Sequence, residues 1–298
     1  MTPLPEPRIA VIGPGAIGTT VAALLHDAGR TPFIAGRSAR AELRLRSERG
    51  TVAVPGPVAT DAGGVQPMSD LVFLAVKATQ TAAAGDWLAA LCGPGTVVCV
   101  LQNGVEQREQ VAPLVPAGEV VPAVVWFPAV READDAVRLL ADPRLTVPDT
   151  PGGATVENAL RGTRCRVEIS NDFPTVAWRK LLQNAAAGLM AVTGRRSGMF
   201  ARDDIGDLTL DYLAECLVIA RADGARLDDD EPQRILESFR ASPPDRGTSI
   251  LADRDQGRPL EWDIRNGVVQ RRGRALGIPT PISDVLVPLL AATSDGPG

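Results

Sequence analysis

The chain has 298 residues, 45% of them hydrophobic and 22% charged, with a formal net charge of −5 and a pI near 5.1. That length suits two domains with a large buried core, and the acidic balance excludes a general nucleic-acid binder, since a phosphate backbone requires a basic surface. No apolar run approaches the roughly 20 residues of a membrane helix, and a single histidine with four scattered cysteines leaves no zinc-site spacing, so no metal is expected.

The opening "MTPLPEPR" lacks the charged start and apolar run of a leader peptide. Cys92, Cys99, Cys165 and Cys216 show no C-x-x-C pair and read as reduced thiols of a cytoplasmic protein. His26 falls within a predicted helix, and Tyr212 is followed at +4 by Cys216, so no Tyr-x-x-x-Lys pair exists. Acid–base chemistry therefore falls to Lys, Asp or Glu, with Cys a weaker option.

In chain order, strands are predicted at 8–12, 31–36, 70–76, 96–101 and 119–126, alternating with helices at 16–28, 38–48, 79–91 and 104–113. Apolar strands that alternate with helices form parallel sheets covered on both faces. Strands at 144–148 and 164–169 flank a helix at 153–162. After about residue 171 strand signals stop, and helical periodicity predicts segments at 172–192, 206–225, 231–240, 248–256, 261–276 and 281–292. "ASPPDRG" reads as a loop and the terminal "SDGPG" as a frayed tail.

"GPGAIG" places Gly13, Gly15 and Gly18 in G-x-G-x-x-G spacing between the first strand and the first helix. There the glycines allow a tight turn, close approach of a pyrophosphate and close helix packing, with Pro14, Ala16 and Ile17 completing the turn. The helix N-terminus offers free N–H groups to the anion. The second strand ends in "AGRSAR", with Arg37, Ser38 and Arg40 where an NAD-binding chain usually carries an acid, which favours the 2′-phosphate of NADP(H). The expected fold is an α/β Rossmann-type N-terminal domain, residues 1–170, with a mostly parallel sheet, followed by an all-α C-terminal domain, residues 171–298.

Lys77 follows the third strand, and Gln102 and Asn103 follow the fourth, at the edge where open α/β sheets bind ligands. Asn103-Gly104 alone is also ordinary turn chemistry. On the helix predicted at 172–192, which contains "WRKLLQNAAAGLM", Leu181, Leu182, Ala185, Leu189 and Val192 form an apolar sector. Lys180, Asn184, Gly188 and Ala191 form a separate i, i+4 stripe. Lys180 is one of only two lysines beside 29 arginines. An ammonium can give up a proton to a nascent alkoxide, and a guanidinium cannot. Glu261 opens a predicted helix, where its charge favours the dipole, and Ser249 lies twelve residues earlier.

The stretches "GPGAIG", "AVKATQT", "LQNGVEQ", "WRKLLQNAAAGL" and "SILADRDQGRPLEWDIRNGVVQRRGRALGIPTP" resemble the ketopantoate reductase (2-dehydropantoate 2-reductase) family over nearly the full length. The resemblance implies NADPH and a small 2-oxo acid in a cleft between a Rossmann and a helical domain, with 2-dehydropantoate reduced to (R)-pantoate in pantothenate biosynthesis. Position by position it implies Gly13 to Gly18 at the pyrophosphate, Arg37 at the 2′-phosphate, and Lys77 and Asn103 on the nicotinamide side. It further implies Lys180 as the catalytic lysine, Asn184 and Ser249 on the substrate, and Glu261 beside cofactor and substrate. A homodimer is among the family's expected states. The chain departs from the best-known members at Gly188 and Gly198, where they carry asparagines. Two other readings stay open: a reductase of another 2-oxo acid or an imine, and a non-catalytic NADP(H) sensor.

Overall fold

The computed structural model describes residues 7–65 and 69–296, so most of the "MTPLPEPR" segment lies outside the described residues. The chain forms two compact units, Met1–Gln102 with Glu106–Phe173, and Asn103–Val105 with Pro174–Gly298.

The first unit is built on a five-stranded sheet. Its strands are β1 (Ile9–Ile12), β2 (Phe33–Ala35), β5 (Leu71–Leu74), β6 (Val97–Val100) and β7 (Glu119–Pro122), in the order β2-β1-β5-β6-β7, and every pairing is parallel. β1, β5 and β6 are buried along their whole length. This is why they read as continuous apolar runs rather than alternating ones. The order reverses between β1 and β5, so the ends of these two strands flank the switch point where α/β sheets bind ligands.

A second sheet, not expected from the sequence, contains β3 (Glu42–Ser47) and β4 (Gly50–Pro55) with β9 (Ala129–Arg131) and β10 (Val137–Leu139), in the order β4-β3-β10-β9. The helix predicted at 38–48 is therefore wrong. "ELRLRS" alternates buried Leu43 and Leu45 with outward Arg44 and Arg46, a period of two, and Gly50 at φ 109° turns the chain into β4. Helix α1 (Ala16–Asp27) packs against β1 and also against β3, β4, β9 and β10, which is why eight of its twelve residues are buried.

The run predicted as one strand at 119–126 divides. β7 stays in the parallel sheet, while β8 (Val124–Val125) joins β11 (Arg144–Pro148) and β12 (Arg166–Ser170) in a third sheet beside α4 (Pro151–Leu160). The helices expected at 79–91 and 104–113 contract to α2 (Gly85–Leu91) and α3 (Gln107–Val111), each flanked by 3₁₀ turns.

The second unit is helical: α5 (Phe173–Thr193), α6 (Asp203–Ala222), α7 (Glu231–Arg240), α8 (Ser249–Asp255), α9 (Val268–Leu276) and α10 (Pro281–Asp295). Leu181, Leu182, Ala185 and Leu189 of α5 enter a core with Tyr212, Leu213, Cys216 and Val268. α10 runs through part of the expected tail, and Ser294 accepts a hydrogen bond from the Leu260 amide at 2.9 Å. The helix expected at 261–276 is interrupted by a π-helical turn, Asp263–Gly267, ahead of α9. π-turns inside helices concentrate at functional sites.

Candidate active site

In the first unit the glycine-rich turn has the geometry its spacing predicts. Gly13 adopts φ +93°, and a Cβ there would lie 2.6 Å from Val76 Cγ1 and 2.7 Å from the Val76 amide, so the turn packs directly on the end of β5. A side chain at Gly18 would collide with the Gly13 carbonyl, whereas the space outside Gly15 is open. That opening is what a pyrophosphate needs to approach the backbone at the start of α1.

The Pro14 carbonyl of this turn accepts from three side chains: Thr19 Oγ1 at 3.2 Å, Arg40 Nη1 at 3.1 Å and Arg131 Nη2 at 3.0 Å. A carbonyl has two lone pairs. Two guanidiniums drawn to one neutral oxygen form a concentration of positive charge beside the turn. Burial and the neighbouring Arg131 charge lower the Arg40 pKa, while Asp135 opposes them. Arg37 and Ser38 are exposed just beyond β2. Arg131 lies on β9, a strand the sequence pattern does not predict, so nothing local in the sequence marks it for this turn.

Lys77 directly follows the Val76 that packs on Gly13 and precedes a 3₁₀ turn, Ala78–Gln80. Gln102 is buried, and its amide donates to Val76 O at 3.1 Å and to Thr81 Oγ1 at 2.8 Å, tying the end of β6 to that of β5.

In the second unit the segment "WRK" shows how α5 presents its lysine. Buried Trp178 donates to Asp223 Oδ2 at 3.0 Å, and Arg179 pairs with buried Glu231 at 3.1 Å. These contacts pin α5 to the end of α6 and the start of α7, and leave half-buried Lys180 on a different face, one turn before Asn184.

From Asn184 a hydrogen-bond chain crosses the unit. Asn184 Nδ2 donates to Asn103 Oδ1 at 3.2 Å, and Asn103 Nδ2 donates to Glu261 Oε2 at 3.4 Å. Arg265 Nη2 donates to the same Glu261 oxygen at 3.4 Å and to Ser249 Oγ at 3.0 Å. Asn184, Glu261 and Arg265 are all buried, and Ser249 is exposed. Gly104, at φ +105°, lets the Asn103 backbone turn close to Ile264 of the π-turn. The structure thus brings together four residues the sequence singled out: Asn103, Asn184, Ser249 and Glu261. It adds Arg265 at their centre, which "EWDIRNG" did not reveal because an arginine in a helical run usually faces solvent.

Gly188 continues the Lys180 stripe, but its neighbour is protein: a Cβ would meet Asn266 Nδ2 at 2.6 Å. Gly198 is exposed, near Pro244. Among the described residues no group of three or more His, Cys, Asp or Glu side chains is gathered as a metal site, and no helix is long and apolar enough to cross a membrane.

The sequence profile described as "Ketopantoate reductase PanE/ApbA" matches residues 9–152, and that of its "C terminal" region matches residues 172–294. The 2-dehydropantoate 2-reductase of Mycobacterium tuberculosis is 55% identical over 291 residues, 97% of this chain and 99% of that enzyme. The PanE/ApbA family ketopantoate reductase of Ralstonia eutropha superposes with a TM-score of 0.87 at 30% identity, covering 97% of this chain and 98% of that one. A dimeric ketopantoate reductase of Staphylococcus aureus superposes at 0.88 with 25% identity, covering 98% and 100%. The two family profiles, which together match most of the chain, and the 55% identity to a full-length relative place this protein in the ketopantoate reductase family.

Proposed function

We propose that the chain reduces 2-dehydropantoate to pantoate with NADPH, Lys180 being the proton donor. The observation that carries the reading is the chain Asn184–Asn103–Glu261–Arg265–Ser249, which ends one helical turn from Lys180. Residues 1–170 serve the cofactor in this reading, and residues 171–298 the substrate and the proton.

The residues of the first unit fit the cofactor. The open space outside Gly15 admits a pyrophosphate, and Arg37, Arg40 and Arg131 supply cations for a 2′-phosphate. Bound NADPH supplies the hydride that the C2 carbonyl carbon accepts. The Lys180 ammonium donates a hydrogen bond to the carbonyl oxygen and passes its proton to the alkoxide that forms. Asn184 and Ser249 donate to the substrate and hold the carbonyl toward Lys180. Asn103 and Glu261 hold Asn184 and Arg265 in place, and Lys77 serves the nicotinamide side.

A homodimer in the cytoplasm belongs to the same reading. The Staphylococcus aureus relative is described as dimeric. Helices α6 and α10, which touch, leave Val218, Val285 and Leu289 about half exposed. Four unpaired thiols fit a reducing compartment.

The test is a panel of 2-oxo acids with NADPH oxidation followed by absorbance. The highest kcat/KM is expected on 2-dehydropantoate. A higher value on another 2-oxo acid or an imine would reassign the substrate, and NADPH binding without turnover on any of them would make the chain a sensor.

A further inference from the structure

Arg265 is the largest buried cation of the second unit, 2% exposed on the π-turn. It donates from one nitrogen, Nη2, to Glu261 and Ser249, while Nε is buried and has no hydrogen-bond partner. A guanidinium carries five N–H donors, and buried donors are costly to leave unmatched. Arg265 therefore sets a guanidinium against the Glu261 carboxylate and the Ser249 hydroxyl with its Nε donor still unmatched. This surplus of donors favours a ligand that is purely an acceptor, and a carboxylate makes the stronger, charge-assisted contacts.

The contact with Ser249 converts that surplus into direction. Because Ser249 Oγ accepts from Arg265, its own O–H is left to donate elsewhere. A hydroxyl polarised by a guanidinium behind it is a stronger donor. Ser249 is the exposed end of this relay.

We propose that Arg265 is a positioning residue that sets the substrate class: acting through Ser249 and Glu261, it makes the site select a free carboxylate over a neutral carbonyl compound of the same shape. This rests on the reductase reading above.

The test compares 2-dehydropantoate with its methyl ester in wild type, Arg265→Met, Arg265→Lys and Ser249→Ala. Losing a charge-assisted contact should raise the acid's KM by about ten- to a hundredfold in Arg265→Met. The ester's KM should move less than about threefold, so the preference for acid over ester collapses. Arg265→Lys should recover part of that preference, and NADPH affinity, read by fluorescence titration, should stay within about twofold in every variant. Ser249→Ala keeps the buried cation and breaks only the relay, so it should show the same loss of preference even if Arg265→Met does not fold. An unchanged acid-over-ester ratio in Ser249→Ala, or equal losses on acid and ester in a folded Arg265 variant, would overturn the proposal and leave the reductase reading intact. A wild type inert toward every 2-oxo acid would overturn both.

Discussion

Gly188 and Asn266 compete for one volume: a Cβ on residue 188 would lie 2.6 Å from Nδ2 and 2.9 Å from Oδ1 of Asn266. Asn266 is fully buried, and its amide donates to Ala185 O and to Tyr212 Oη, each at 3.0 Å. The small residue on α5 and the amide on the π-turn are therefore complementary. An asparagine at 188, expected from the family's best-known members, does not fit beside this one. Gly188→Ala should gain about 1 kcal/mol of helix propensity, but displacing Asn266 costs about 1 kcal/mol for each hydrogen bond lost, on top of about 1–3 kcal/mol of overpacking. With both Asn266 bonds lost, the expected net is a loss of about 2–4 kcal/mol in urea denaturation. Adding Asn266→Ala should reduce the penalty of Gly188→Ala, giving a measurable coupling. Purely additive effects would show that the two residues do not share the space.

Lys180 carries the proton in the proposed chemistry. Lys180→Ala should lower kcat by about two to four orders of magnitude while leaving NADPH affinity nearly unchanged. Lys180→Arg should keep the charge and remain far below wild type, because a guanidinium does not release a proton. Wild-type turnover in the arginine variant would reduce the role of Lys180 to simple charge.

The two guanidiniums on the Pro14 carbonyl predict a cofactor preference. Arg40→Ala and Arg131→Ala should each weaken NADPH binding by about tenfold and NADH binding by less than about twofold. The NADPH loss should shrink at high salt, because Arg40 and Arg131 are only partly buried. Parallel titrations with both cofactors decide it: equal losses would mean that the arginines hold the turn and do not read the 2′-phosphate.

The thiols predict a reactivity pattern. Burial pushes Cys92 up to about 11 and Cys165 up to about 12, and it raises Cys99 and Cys216 further. At pH 8 the folded Cys92 should be about one part in a thousand thiolate, so a disulfide reagent should react slowly with the native protein and with all four thiols once it is unfolded. The raised values also set a stability trend. Unfolded thiols ionise from about pH 9 while the folded ones stay protonated, so the unfolded state binds fewer protons and stability falls as pH rises above 9. Fast native labelling at pH 8 would contradict the burial.

The parallel sheet, the glycine-rich turn and the α5 helix were legible in the sequence because each rests on local order. β1, β5 and β6 are apolar at every position since both faces are covered, and Gly13 and Gly18 hold positions where a side chain would strike the neighbouring backbone or the end of β5. The misreading at 38–48 has the same root. Arginine and leucine suit helices by propensity, but Leu43 and Leu45 are buried in alternation because α1 packs on the sheet in which β3 lies between β4 and β10.

By itself the sequence determined the candidates for the proposed chemistry: a lysine among arginines, an asparagine one turn on, and a glutamate and a serine far along the chain. Only the tertiary structure decided what connects them. Asn103 and Asn184 lie 81 positions apart, and Asn103 and Glu261 lie 158 apart, yet each pair shares a hydrogen bond. Arg265 joins Glu261 to Ser249, and Arg131 comes to Pro14 from 117 residues away. Periodicity sees neighbours within a turn or a strand, and these pairings depend on how strands and helices pack after they form.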